Sequence, residues 1–248
     1  MYNAKAFNWK NMSHMRKTYF VKFAWRCFVL IFSIILCFAK PEEFDILKGM
    51  NFFGKFSVLH VLWCVWVFDM LLQLIPVKKH VPLGSQKLFG IRHSKTENEY
   101  SEDLLKEYIR KENINAAAIF VLWTGLSGAI GVLKVSGIIN NGVLFVIVAF
   151  FYVCDLFCVL IWCPFRWFMK NRCCTTCRIF NWDHMMMFSP FLFAKGFYGI
   201  SLAVMAAVII LVWEYKVYKH PERFWIQSNE ALKCMNCTDK LCSQYCVK

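Results

Sequence analysis

Five runs of this chain stay apolar long enough to cross a lipid bilayer: 21–39, 56–77, 114–139, 142–165 and 187–213. A crossing helix needs about 20 mostly apolar residues, since the hydrocarbon core is about 30 Å thick and an α-helix rises about 1.5 Å per residue. The pattern predicts an all-α integral membrane protein, a bundle of about five transmembrane helices. In the third run, Thr124/Gly128 and Ser127/Gly131 are small-xxx-small pairs that permit close packing, inside one bundle or between copies.

The polar positions divide the chain into a bundle over 1–213 and a tail over 214–248, with a long loop at 78–113. Within that loop, 101–111 predicts an amphipathic helix. Ser101 can cap it, Glu102 and Asp103 suit its first turn, and Leu104, Leu105, Tyr108 and Ile109 form one apolar stripe. Glu102–Lys106 and Glu107–Lys111 are supporting i,i+4 pairs. The expected position is on the membrane interface.

Composition agrees with a lipid environment. The 248 residues are 58% hydrophobic and include 25 Phe and 10 Trp, more than one water-soluble core uses. The first run carries Lys22 and Arg26 and is followed by no small-residue cleavage site, so it reads as a retained helix. Lys and Arg number 29 against 16 Asp and Glu, which the positive-inside bias explains without nucleic acid. Lys5, Lys10, Arg16 and Lys17 precede the first run, Lys78 to Lys111 follow the second, and Arg166 to Arg178 follow the fourth. The turn at 140–142 has none, so the amino terminus is expected in the cytoplasm. Five spans then place the tail outside, while its own Lys216, Lys219, Arg223 and Lys233 oppose that. An even number of crossings would require a re-entrant piece near Ser189-Pro190, or a first run lying flat.

Cysteine changes the picture most. Cys173, Cys174 and Cys177 form CCxxC in a polar break, and Cys163 lies close before them as a candidate fourth ligand. The tail adds Cys234, Cys237, Cys242 and Cys246, a thiol-rich run that matches the density of an iron–sulfur loop. Closely spaced thiolates suit an iron–sulfur cluster or zinc, and a CxxC pair can also cycle as a disulfide. The tail spacing fits neither the bacterial ferredoxin run nor a zinc ribbon, and two disulfides or inert thiols are its alternatives. Lys170, Arg172 and Arg178 are expected to favour thiolate in CCxxC. Cys27, Cys37, Cys64, Cys154 and Cys158 lie inside apolar runs and read as packing residues. His184 is a further candidate metal ligand, with Asp183 either holding its second nitrogen or capping the last helix, and Trp182 in the interfacial aromatic belt.

Charges inside apolar runs form the second constellation: Asp69 and Asp155 at similar depth, Lys195 as the expected partner of Asp155, and His60 extending the row. A proton or cation path, or a polar contact to a quinone headgroup, is the functional alternative to a structural pair. The sequence has no nucleotide loop, HExxH, Ser-His-Asp set or Rossmann fingerprint. The expectation is a membrane redox protein whose thiols hold a metal or cycle as disulfides, passing electrons to a protein partner or a quinone. A non-catalytic subunit or assembly factor, single or homo-oligomeric, and a small transporter are the alternatives.

Overall fold

The computed structural model of the chain describes residues 13–75, 93–96, 101–170, 173–236 and 241. The long helices are α1 (His14–Ala39), α2 (Val58–Leu74), α3 (Glu102–Val135) and α4 (Asn141–Leu160), then α7 (Phe197–Lys219) after two short ones, α5 (Phe165–Met169) and α6 (Asp183–Phe188). Short 3-10 segments connect them, and no β-strand forms among the described residues. Four helices, α1, α3, α4 and α7, are long and apolar enough to cross a membrane, and α2 is a shorter apolar helix of 17 residues. Large apolar side chains such as Phe28, Ile35, Phe38, Val121 and Leu211 stand exposed along their outer faces, as a lipid-facing surface requires.

Local chemistry sets the helix ends. The Asn140 side chain accepts from the Val143 N–H at 2.8 Å to start α4, and Ser57 with His60 forms a reciprocal capping box on α2. α3 is one helix of 34 residues, so the expected interfacial helix 101–111 is not separate from the third run. No helix-breaking residue stands between them, and the backbone ladder continues. Lys111 pairs with Glu107 at 2.6 Å as expected, whereas Lys106 reaches Asp103 at 3.4 Å rather than Glu102.

The last apolar run is where the expectation fails. Residues 187–213 are not one helix: α6 gives way to a 3-10 segment, Ser189–Ala194, whose second residue, Pro190, has no N–H to continue an α-ladder. Lys195 then turns with φ 54°, and Gly196 meets the loop after α1. A Cβ on Gly196 would lie 2.1 Å from the Leu47 carbonyl oxygen, so only glycine permits this approach. The Phe197 N–H donates to the Gly49 carbonyl at 2.8 Å, and α7 runs back from there.

These contacts define two ends. The far end gathers 40–57, 136–141 and 195–197; Asn141 donates to the Phe44 carbonyl at 3.3 Å. The other end gathers the start of α1, the start of α3, residues 161–170 and 173–182, and residues 220–236 of the tail. There the Tyr108 hydroxyl donates to the Phe224 carbonyl at 3.0 Å, Tyr108 stacks on Trp225, and the Glu230 N–H donates to the Ser94 carbonyl at 2.9 Å. The first turns of α3 therefore also pack against residues 224–225 of the tail.

The main core lies among α2, α4, α6, α7 and their connecting segments, around the buried rings of Trp66, Phe145, Phe188, Phe191 and Tyr198. Of the small-residue pairs in α3, the Ser127/Gly131 face packs: the Ser127 and Ser189 hydroxyls are 2.9 Å apart, and a Cβ on Gly131 would meet Phe193 at 2.4 Å. A Cβ on Gly128 would meet nothing within 4 Å.

Candidate functional site

α4 ends at Leu160, short of where its apolar run predicts, and α5 and α6 do not fill the space beyond it. A cavity of about 260 Å³ results. Six cysteines line it: Cys154 and Cys158 from α4, Cys163 from the turn after it, and Cys173, Cys174 and Cys177 from the following loop. Trp123, Phe151, Phe165 and Met186 form much of the remaining wall, and Asp155 and Asp183 supply its carboxylates. Cys163 thus joins the CCxxC residues in space. Cys154 and Cys158, expected to be packing residues, also face the cavity. Their i,i+4 spacing on either side of Asp155 was the available signal.

Cys163 is the centre of the thiol group and lies beyond the end of α4. It contacts Cys158 and Cys174, and the Cys174 sulfur lies 3.3 Å from the Cys158 carbonyl oxygen. Hydrogen bonds from Cys158 and Cys174, joined by the backbone N–H groups of Phe165 and Arg166, hold Cys163 well below the ordinary thiol value despite burial. The same contact, with burial, holds Cys174 above it. Burial pushes Cys177 up to about 12.

For Cys174 and Cys177 the surroundings run against the expectation that basic neighbours favour thiolate in CCxxC. Arg178 is engaged elsewhere, in a two-pronged ion pair with Glu214 at 2.6 and 2.5 Å. Lys170 is exposed in a left-handed turn, and Arg172 lies outside the described residues. The surroundings that favour a thiolate are instead those of Cys163. None of the described cysteine side chains is in a disulfide, and among the described residues no group of three or more His, Cys, Asp or Glu is arranged to hold a metal ion. Cys237, Cys242 and Cys246 lie outside the described residues, as does the Cys234 side chain.

The charges form a second group that touches the same cavity. Arg26 of α1, with a side chain only 7% exposed, reaches Asp155 at 2.5 Å and Asp69 at 3.8 Å. It also donates to the Tyr152 carbonyl at 2.8 Å and lies over the Tyr152 ring. His184 is nearly fully buried. Its Nδ1 is 3.0 Å from Asp183 and its Nε2 3.6 Å from Asp69, while Gln73 donates to the other Asp183 oxygen at 3.2 Å. His184 therefore faces carboxylates rather than thiols, although Asp183 does hold its other nitrogen. Asp183 caps nothing; it is the first residue of α6. Trp182 is buried and donates to Glu214 at 2.9 Å instead of standing at a lipid interface.

Two expected members are elsewhere. Lys195 is exposed in the far-end turn and does not meet Asp155, because the run that was to carry it inward bends there. His60 serves the cap of α2, with Nε2 2.7 Å from the Phe52 carbonyl oxygen. The partner that sequence reasoning missed is Arg26. A guanidinium inside an apolar run needs a carboxylate, and two lay at matching depth. Comparison with known protein families, curated proteins and solved structures found no match to this chain.

Proposed function

We propose that this chain is a membrane dithiol redox protein that cycles Cys163 and Cys174 between thiols and a disulfide, with a lipid-soluble quinone as electron acceptor. The observation that carries this reading is the contact of Cys163 with Cys158 and Cys174 on the wall of an apolar cavity. A thiolate is the competent nucleophile, and Cys163 is the residue whose surroundings favour it. Aromatic and Met walls suit a flat, apolar acceptor ring. Oxidation removes two electrons from the pair and forms one S–S bond; the quinone takes those electrons with two protons and leaves as quinol. Cys158 and Cys173 border the pair and are placed to exchange with it.

The test uses protein purified without air in detergent, mixed with decylubiquinone, with disulfides mapped by mass spectrometry. One Cys163–Cys174 disulfide per quinol is expected, and Cys163→Ser should abolish quinol formation. Thiols that stay intact under saturating quinone overturn the proposal, as does a metal ion bound stoichiometrically by these cysteines.

The proposed topology follows from the direction of α6 and Ser189–Ala194. Together they run from the thiol end to the far end, so with five long helices the chain crosses six times. The start of α1, the thiol loop and the tail then share one face, the cytoplasmic one by the Lys/Arg bias. A membrane-impermeant maleimide should spare Cys173, Cys174, Cys177 and the tail cysteines in intact cells and label them after lysis. Labelling of the tail alone in intact cells would restore an odd number of crossings.

A further inference from the structure

Reduction of a quinone in this cavity has a proton requirement that the thiols alone do not meet. With Cys163 as thiolate and Cys174 as thiol, the pair delivers two electrons but one proton. The quinone needs two. The balanced step is Cys163 thiolate, Cys174 thiol, quinone and one further proton giving disulfide and quinol. The cavity walls are mostly apolar, and the cavity touches the charged group through Asp183 and Asp155.

We propose that the Asp183–His184 pair is the proton donor of the thiol cavity, with His184 holding the proton and Asp183 delivering it to the acceptor's oxygen. Asp183 lines the cavity and is bonded to His184 Nδ1 at 3.0 Å. Gln73 fixes its second oxygen at 3.2 Å, which keeps the carboxylate oriented. Asp69 stands 3.6 Å from Nε2, so an imidazolium has an anion on each side. The charged groups around His184 are Asp183 on its own helix, Asp69 from α2, Asp155 from α4 and Arg26 from α1, with Lys22 of α1 beyond Asp69. Arg26 is committed to Asp155 at 2.5 Å, which leaves Asp69 and Asp183 to the histidine. Of the carboxylates around His184 the Asp69 side chain is the most exposed, at 30%, so reloading is assigned to that side. Charges balance through the step: one thiolate and one imidazolium are consumed, and neutral products form.

This inference rests on the thiol reading above, and two oxidants separate them. Decylubiquinone takes electrons with protons, whereas ferrocenium is a lipophilic one-electron cation that takes electrons alone, two per disulfide, with the Cys174 proton released to solution. In wild-type protein prepared without air, both should oxidise Cys163 and Cys174, and the quinone rate should stay flat between about pH 6 and 8.5 because its proton is held internally. His184→Gln and Asp183→Asn, measured separately so that one remains if the other fails to fold, should slow the quinone reaction about a hundredfold at pH 8. Their quinone rates should then fall about tenfold per pH unit, since the proton must come from solution. Their ferrocenium rates should stay within about twofold of wild type, the margin of an undisturbed thiol pair. Equal slowing with both oxidants, or a wild-type quinone rate that itself falls tenfold per unit, overturns the donor role. Ferrocenium oxidation without any quinone reaction removes the proposal together with the quinone acceptor. Failure of both oxidants on wild type removes the thiol reading on which it stands.

Discussion

At the far end of the bundle the chain closes on itself by backbone approach and aromatic packing: Gly196 against Leu47, Phe44 against Phe145, and Phe52 among Trp63, Phe197 and Tyr198. At the thiol end the helices stop early, short pieces stand in for them, and a cavity opens between six cysteines and two carboxylates. Both ends bury polar groups, but for different purposes. Asn141 and His60 at the far end tie loops to helix caps. Arg26, His184 and Arg178 at the other end sit in ion pairs of a kind that well-packed apolar residues can often replace without loss of stability when both partners are replaced together. Charge kept at that expense, beside six cysteines, is the arrangement on which the proposed redox role rests.

The comparison breaks first at Arg26. Arg26→Met should destabilise the protein by about 3–5 kcal/mol, because it leaves Asp155 buried without its counterion. Denaturation in detergent micelles reads the loss. Adding Asp155→Asn should recover much of it, since a neutral amide does not need the guanidinium. A single variant as stable as wild type would mean that the ion pair carries no structural weight.

The far end should answer to shape instead of charge. Gly196→Ala forces the Leu47 backbone away and is expected to cost about 1–3 kcal/mol, with no charge change able to rescue it. Gly128→Ala is the control on the same scale. Its Cβ meets nothing, so it should be neutral or should stabilise α3 by up to about 1 kcal/mol through helix propensity. If the two variants behave alike, the close approach at Gly196 is not a constraint.

How much of this could be read in advance differs between the ends and between elements. Long apolar runs gave the position of α1, α2, α3 and α4 to within a few residues at most ends, because burial in lipid is a property of composition and length. The break at Ser189-Pro190 was visible only as an option, since hydropathy does not register a change from α to 3-10 backbone. The junction of 101–111 with the third run was hidden because a change from polar to apolar composition looks like a boundary even where the helix continues. Cys163 could be linked to CCxxC by its nearness in sequence. Arg26 could not be linked to Asp155, 129 residues away, without knowing which helices are neighbours.

Thiol reactivity sharpens the comparison within the thiol end itself. With a small membrane-permeant alkylating agent at pH 7, Cys163 should react about tenfold faster than Cys177. Its surroundings favour the thiolate, and that advantage is expected to exceed the lower nucleophilicity of a low-pKa sulfur. The Cys163 rate should be flat above pH 6. The Cys177 rate should rise about tenfold per pH unit, since only the thiolate reacts and its thiol is pushed up to about 12. Peptide mass mapping after short labelling gives both rates. Cys177 labelling first, or a Cys163 rate that climbs steadily through pH 8, would return the thiolate to the CCxxC loop.

The smallest effect lies between the two ends, where α3 meets the broken crossing. Ser127 and Ser189 share one hydrogen bond at 2.9 Å, and Trp123 Nε1 donates to the Ser189 hydroxyl at 3.3 Å and to the Met186 carbonyl at 3.2 Å. Ser127→Ala removes one bond from this set and leaves Ser189 with Trp123. The expected loss is about 0.6 kcal/mol, the average for hydrogen bonds between helices in membranes, read by the same denaturation assay. Trp123→Phe removes two donor contacts at once, so Met186 loses a partner for its carbonyl at the point where α6 ends, and its cost should exceed that of Ser127→Ala. Trp123 also lines the cavity, so this variant should slow thiol oxidation as well, while Ser127→Ala should not. If both variants slow oxidation equally, the hydroxyl bond rather than the indole sets the position of α6 against the thiols.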